Sequence, residues 1–120
     1  MGFDFKKLDV YRVSMNFAVL AKQIAGRLPR GSSHLVDQLS RASSSVVLNI
    51  AEGAGKQSKA DKRRYYLSAR GSAAERSAIL ELLSRTCEGL EKECAEGDDA
   101  LVRIGSMLTR LSEAMENRDE

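Results

Sequence analysis

The chain is poor in the residues that enzymes and membrane proteins concentrate. Of its 120 residues, one is histidine, one proline and two cysteine. His34, the lone histidine, stands beside an expected helix start with no cysteine or patterned carboxylate for a partner, which points to a surface or capping role rather than to catalysis. Cys87 and Cys94 lack metal-ligand spacing and have no second pair. On one expected helix they lie about 10 Å apart along the axis, too far for a disulfide, and read as core residues in a reducing compartment. No apolar run approaches the roughly 20 residues that span a bilayer. The first residues, Met1 to Lys6, lack the apolar stretch of a signal peptide, and Lys6 stands where a myristoylation signal has Ser or Thr. These absences set the expectation of a soluble, cytoplasmic chain without cofactor, metal or membrane association.

What is present is helical periodicity. At 120 residues the chain suits one domain with one core, residues 1–120. Val10, Val13, Phe17, Leu20, Ile24 and Leu28 recur at three- and four-residue steps and predict a helix over 8–28, ended by Pro29-Arg30-Gly31. A second helix is expected over 32–53, capped by Ser32 or Ser33 and stopped at Gly53-Ala54-Gly55. The third opens at Ser58, with Asp61 at capping-box spacing, and is read through to Cys94, approaching 50 Å at about 1.5 Å per residue. Gly97-Asp98-Asp99 is read as the last turn, leading into a helix over 98–116 whose Leu101, Ile104, Leu108, Leu111 and Met115 are heptad-spaced, with a fraying polar tail from Glu116. The fold class is therefore all-α, an antiparallel up-down four-helix bundle.

Helix three carries more apolar surface than one bundle needs. Tyr66, Ala69, Ala73, Leu80, Leu83 and Cys87 form one stripe, and Leu67, Gly71, Ala74, Ala78 and Leu82 form another on the far side. The second stripe is either a wide core face or an oligomer interface whose small residues admit a partner helix, with Leu48 of helix two adding to the exposed area.

Two polar signatures interrupt these patterns, Asn49-Ile50-Ala51-Glu52-Gly53 and Ala69-Arg70-Gly71-Ser72-Ala73-Ala74-Glu75. On helix two, Leu35, Leu39, Ala42, Val46 and Ile50 share a sector, with Asn49 at its edge and Ser45 and Glu52 beside it. An unpaired polar group there costs roughly 1–3 kcal/mol, so Arg70, Ser72 and Glu75 are expected to face it. Asn49, Glu52, Ser72 and Glu75 could form a buried acid–base site, with Glu52 and Glu75 as its paired carboxylates. The favoured reading is a structural network of Arg41, Ser45, Asn49, Glu52, Ser72 and Glu75, with Arg41 or Arg70 completing it, because nothing nearby supplies a nucleophile, a metal or a pocket.

Charge is divided along the chain. Residues 1–60 hold nine Lys and Arg against four Asp and Glu, whereas residues 61–120 hold ten against thirteen. Lys59, Lys62, Arg63 and Arg64 crowd the start of helix three, where the helix dipole disfavours cations by a few tenths of a kcal/mol each. With Lys56 and Arg70 they could attract phosphates, the alternative being a solvated face. Tyr65 and Tyr66 are the only nearby aromatics, so backbone recognition is expected rather than base stacking. Gly53-Ala54-Gly55-Lys56-Gln57-Ser58 is not a P-loop: Ile50 and Gln57 occupy positions the motif reserves for Gly and Ser/Thr, and a helix precedes it.

The Arg-Ala…Ser…Asn-Ile-Ala-Glu-Gly run, the polar turn with Lys56 and Ser58, then Arg64, Ala69-Arg70-Gly71-Ser72, Glu75 and Ile104…Met107-Leu108…Leu111 resemble the bacterial four helix bundle protein family. That family includes proteins encoded in intervening sequences of 23S ribosomal RNA genes and the accessory variability determinant of diversity-generating retroelements. Val47-Leu48 and Arg76-Ser77 depart from its usual pattern. The resemblance implies a ring-like basic homopentamer that binds RNA or DNA and partners a reverse transcriptase. The combined expectation is a non-enzymatic oligomeric nucleic-acid binder, with a protein-interaction scaffold as the alternative.

Overall fold

The structure, a computed structural model, describes residues 4–29, 31 and 33–116. Among them are four α-helices and one short 3₁₀ turn, with no strand. The 3₁₀ turn covers Asp4–Lys7, and α1 (Asp9–Gly26), α2 (Ser33–Gly55), α3 (Lys59–Thr86) and α4 (Glu91–Ala114) follow. Each helix packs on two neighbours in the cycle α1, α2, α3, α4, and none packs across the diagonal. The 3₁₀ turn lies against α1 and α2.

The expected apolar positions meet in one core. Phe17 and Ile24 of α1, Leu39, Val46 and Ile50 of α2, Leu80 and Leu83 of α3, and Ile104 and Leu108 of α4 are all shut from solvent. Ser58 caps α3 as its spacing predicts, its Oγ accepting from the Asp61 amide at 3.1 Å. Arg30, the Ser32 cap, the side chain of Ala42 and the tail beyond Glu116 lie outside the described residues.

Helix bounds differ from expectation most at the α2–α3 and α3–α4 connections, and glycines stand at both. Helix two does not stop at Gly53 but runs to Gly55. Gly53 is buried where α2 meets α3, and a Cβ there would lie 2.9 Å from Tyr66 Cε1 and 3.0 Å from Tyr65 Cβ. Helix three ends at Thr86, not Cys94, so at 28 residues it spans about 42 Å at 1.5 Å per residue. The chain reverses through Gly89, whose φ of 84° lies in the left-handed region that glycine enters without steric penalty. Gly97-Asp98-Asp99 is therefore no turn but part of α4. Gly97 is needed for close packing instead, because a Cβ would fall 2.8 Å from Leu80 Cδ1 and 3.5 Å from Phe17 Cε1. The cysteines consequently are not on one helix: Cys87 follows the last residue of α3, Cys94 lies in α4, and both are free thiols.

Candidate nucleic-acid interface

The α2–α3 connection is short, and its geometry gathers cations. Lys56 follows the last residue of α2, and Lys59 opens α3 exposed to solvent. Lys62 donates from Nζ to the carbonyl of Ala54 at 2.9 Å, satisfying an acceptor that the end of α2 would otherwise leave open. Lys56 and Arg64 both lie over the ring of Tyr65, each 5.2 Å from its centroid. Their other contacts are loose and exposed: Lys56 Nζ is 3.5 Å from Glu52 Oε2, and Arg64 Nη2 is 3.4 Å from Asp61 Oδ1. Such pairs contribute little in water, so these cations stay available to a stronger anion.

The six predicted phosphate-binding residues do not all join this collar. Lys56, Lys59, Lys62 and Arg64 do. Arg63 is half-buried, with its Nε shut from solvent and unpartnered. Arg70 points to α4, where Nη1 donates to Thr109 Oγ1 at 3.3 Å. A residue on α3 can face α2, solvent or α4, and the one-residue step from Arg63 to Arg64 is enough to separate their surroundings.

The predicted polar network is smaller than expected. Ser45 Oγ and Ser72 Oγ are 3.0 Å apart across α2 and α3, and Asn49 Nδ2 donates to Ser45 at 2.8 Å (backbone O) and 3.1 Å (Oγ). Arg41, Glu52 and Glu75 are not members, since all three are exposed. Glu52 pairs with Lys56, and Glu75 Oε1 sits 3.1 Å from Arg76 Nη1. Glu52 and Glu75, the carboxylates of the acid–base alternative, both face solvent.

The charge that is buried lies outside the expected network. Arg76 is 5% exposed, continuing the stripe of Ala69, Ala73, Leu80 and Leu83. Nη1 keeps only its ion pair with Glu75, and neither Nε nor Nη1 makes a hydrogen bond. Burial pushes its pKa down, opposed by the Glu75 carboxylate. The three- and four-residue spacing around Ala73 and Leu80 is the signal that could have placed it. Nor does the sequence pattern anticipate the Ser77 hydroxyl donating to Asp98 at 2.6 Å or the Arg27–Glu93 pair joining α1 to α4.

The far stripe of α3 does face outward. Gly71, Ala74 and Ala78 are exposed, Leu82 is 47% exposed and Leu67 is half-buried. Nothing lies within 4 Å of a Cβ built on Gly71. Leu48, on the outer face of α2, is 63% exposed. Among the described residues no helix is long and apolar enough to cross a membrane.

Residues 6–110 match the family described as 23S rRNA-intervening sequence protein. A crystal structure of a protein of unknown function from the S23 ribosomal protein family of Bacteroides thetaiotaomicron is 25% identical, with a TM-score of 0.79 over 87% of this chain and 95% of that one. No curated protein matches the chain.

Proposed function

This chain belongs to the 23S rRNA-intervening sequence protein family, and from that premise we propose that it is a non-enzymatic homo-oligomeric bundle that binds RNA or DNA through its basic collar. One observation carries the reading: Lys56, Lys59, Lys62 and Arg64 converge on the α2–α3 turn although the start of a helix disfavours cations. Because Lys56 and Arg64 already flank Tyr65, its ring is occupied and the cations address the phosphate backbone. Recognition of this kind is sequence-tolerant and steeply salt-dependent. The outward stripe of α3 supports assembly, for which the resemblance implies five copies, and repetition around a ring would multiply a modest patch. An accessory role beside a reverse transcriptase and a link to ribosomal RNA intervening sequences are the two contexts the resemblance offers.

Titration of the purified chain with single- and double-stranded RNA and DNA at two salt concentrations tests the reading. The expected result is binding at low salt to all of them, falling away steeply as salt rises. Absence of binding at low salt would overturn it in favour of a protein scaffold.

A further inference from the structure

The outer face of α2 has a charge order that matters only when two copies are considered. Asp37, Arg41, Ser44, Leu48, Glu52 and Gly55 are all exposed and fall within one sector of the helix at about 100° per residue. Lys56 lies at its edge. From the start of the helix to its end the sequence of charge is negative, positive, apolar, negative, positive: Asp37, Arg41, Leu48, Glu52, Lys56. Among the described residues Asp37 and Arg41 form no ion pair, and Glu52 meets only Lys56, loosely, at 3.5 Å. Leu48, at 63% exposure, borders a groove of about 630 Å³ also lined by Phe5, Ala51, Gly55 and Lys56.

We propose that this face is a two-fold contact between copies of the chain, α2 packing antiparallel on α2. A two-fold axis passing between Val46 and Val47 brings Asp37 opposite Lys56 of the second copy and, in the same operation, Arg41 opposite Glu52. Each pair then occurs twice. The same axis sets Leu48 against Ser44 and Ser45 of the other copy, whose small side chains leave room for a leucine. A parallel side-by-side arrangement would instead set Asp37 against Asp37 and Arg41 against Arg41, a like-charge penalty that selects the antiparallel one. The contact is isologous, the same patch serving on both sides. It goes beyond the assembly proposed above, since the α3 stripe stands on a different helix, and it requires no nucleic acid.

Charge reversal tests the pairing, with self-association of the full chain followed by sedimentation equilibrium in the absence of nucleic acid. Arg41→Glu alone and Glu52→Arg alone should each weaken association at least tenfold, and the double variant, which restores both copies of that pair with reversed polarity, should recover most of it. Leu48→Glu should weaken it as well, with helicity by circular dichroism unchanged in every variant. Oxidised glutathione should convert Leu48→Cys, but not the wild type, into a covalent dimer on a non-reducing gel. A wild-type chain that stays monomeric, a double variant no better than either single one, or a Leu48→Glu chain of unchanged mass would each overturn the proposal. A drop in mass for Ala74→Glu with none for Leu48→Glu would leave assembly through α3 standing and remove this contact.

Discussion

Arg76 holds a guanidinium in the core stripe of α3 with two nitrogens that make no hydrogen bond, and its ion-pair partner Glu75 keeps its carboxylate in water. The two partners are unequal: removing the arginine leaves no buried charge behind. Replacing it with methionine, of similar length and no charge, should raise unfolding free energy by about 1 kcal/mol or more, read from urea denaturation. A decrease in stability would mean that the guanidinium has a partner in the assembled protein. Tyr66 and Cys94 make a different prediction. Burial raises both pKa values, that of Tyr66 from 10.0 and that of Cys94 from 9.0, the latter with smaller contributions from Cys87 and Glu91. The folded state therefore keeps protons that the unfolded chain releases, so this stability is intact below pH 9 and declines as pH rises past it. Melting temperature should fall as pH rises above 9, and Tyr66→Phe with Cys94→Ala should flatten the decline.

The helices themselves are largely legible in the sequence, and the glycines mark where legibility ends. The spacing predicts a first helix over 8–28 and the helix is Asp9–Gly26, because apolar residues at three- and four-residue steps define a face that only a helix can bury. Glycine, in contrast, is called for by two opposite needs, a left-handed turn and a close approach, and composition does not separate them. Gly89 serves the first need and Gly97 the second, so the pattern extends the third helix eight residues too far, to Cys94 rather than Thr86. The collar is legible as charge, but the sequence does not separate Arg63 and Arg70 from it, because the direction of each side chain depends on where α4 lies. The glycines also yield a prediction of opposite signs. Gly53→Ala should destabilise by about 1–3 kcal/mol because its Cβ meets Tyr65 Cβ and Tyr66. Gly71→Ala, with open space around it, should stabilise the separate chain by up to about 1 kcal/mol through helix propensity. Ser58→Ala should cost about 1 kcal/mol by removing the α3 cap. Thermal unfolding of the three variants checks all of these.

At the scale of the whole molecule, assembly and binding separate into two measurements. Light scattering should give several times 13.2 kDa, fivefold if the resemblance extends to stoichiometry, and Ala74→Glu should lower that mass with helicity retained. Neutral substitutions at Lys59, Lys62 and Arg64 should leave mass unchanged and reduce the slope of log affinity against log salt by roughly one for each phosphate no longer neutralised. Equivalent changes at Arg63 and Arg70 should matter less, since those side chains turn away from the collar. The molecule measures 53 × 31 × 21 Å, and α3 carries the collar at its start while Glu88, Glu91 and Glu93 surround the turn at its end. The collar end is thus more basic than the far end, where Arg27 pairs with Glu93 and Arg85 and Lys92 stand beside the other glutamates. Such a chain would meet a polyanion collar first and turn an end of balanced charge to the surroundings. A strand coated in this way would offer neighbouring strands few free cations, so that binding would not glue nucleic acids together, as a uniformly basic protein of the same size would.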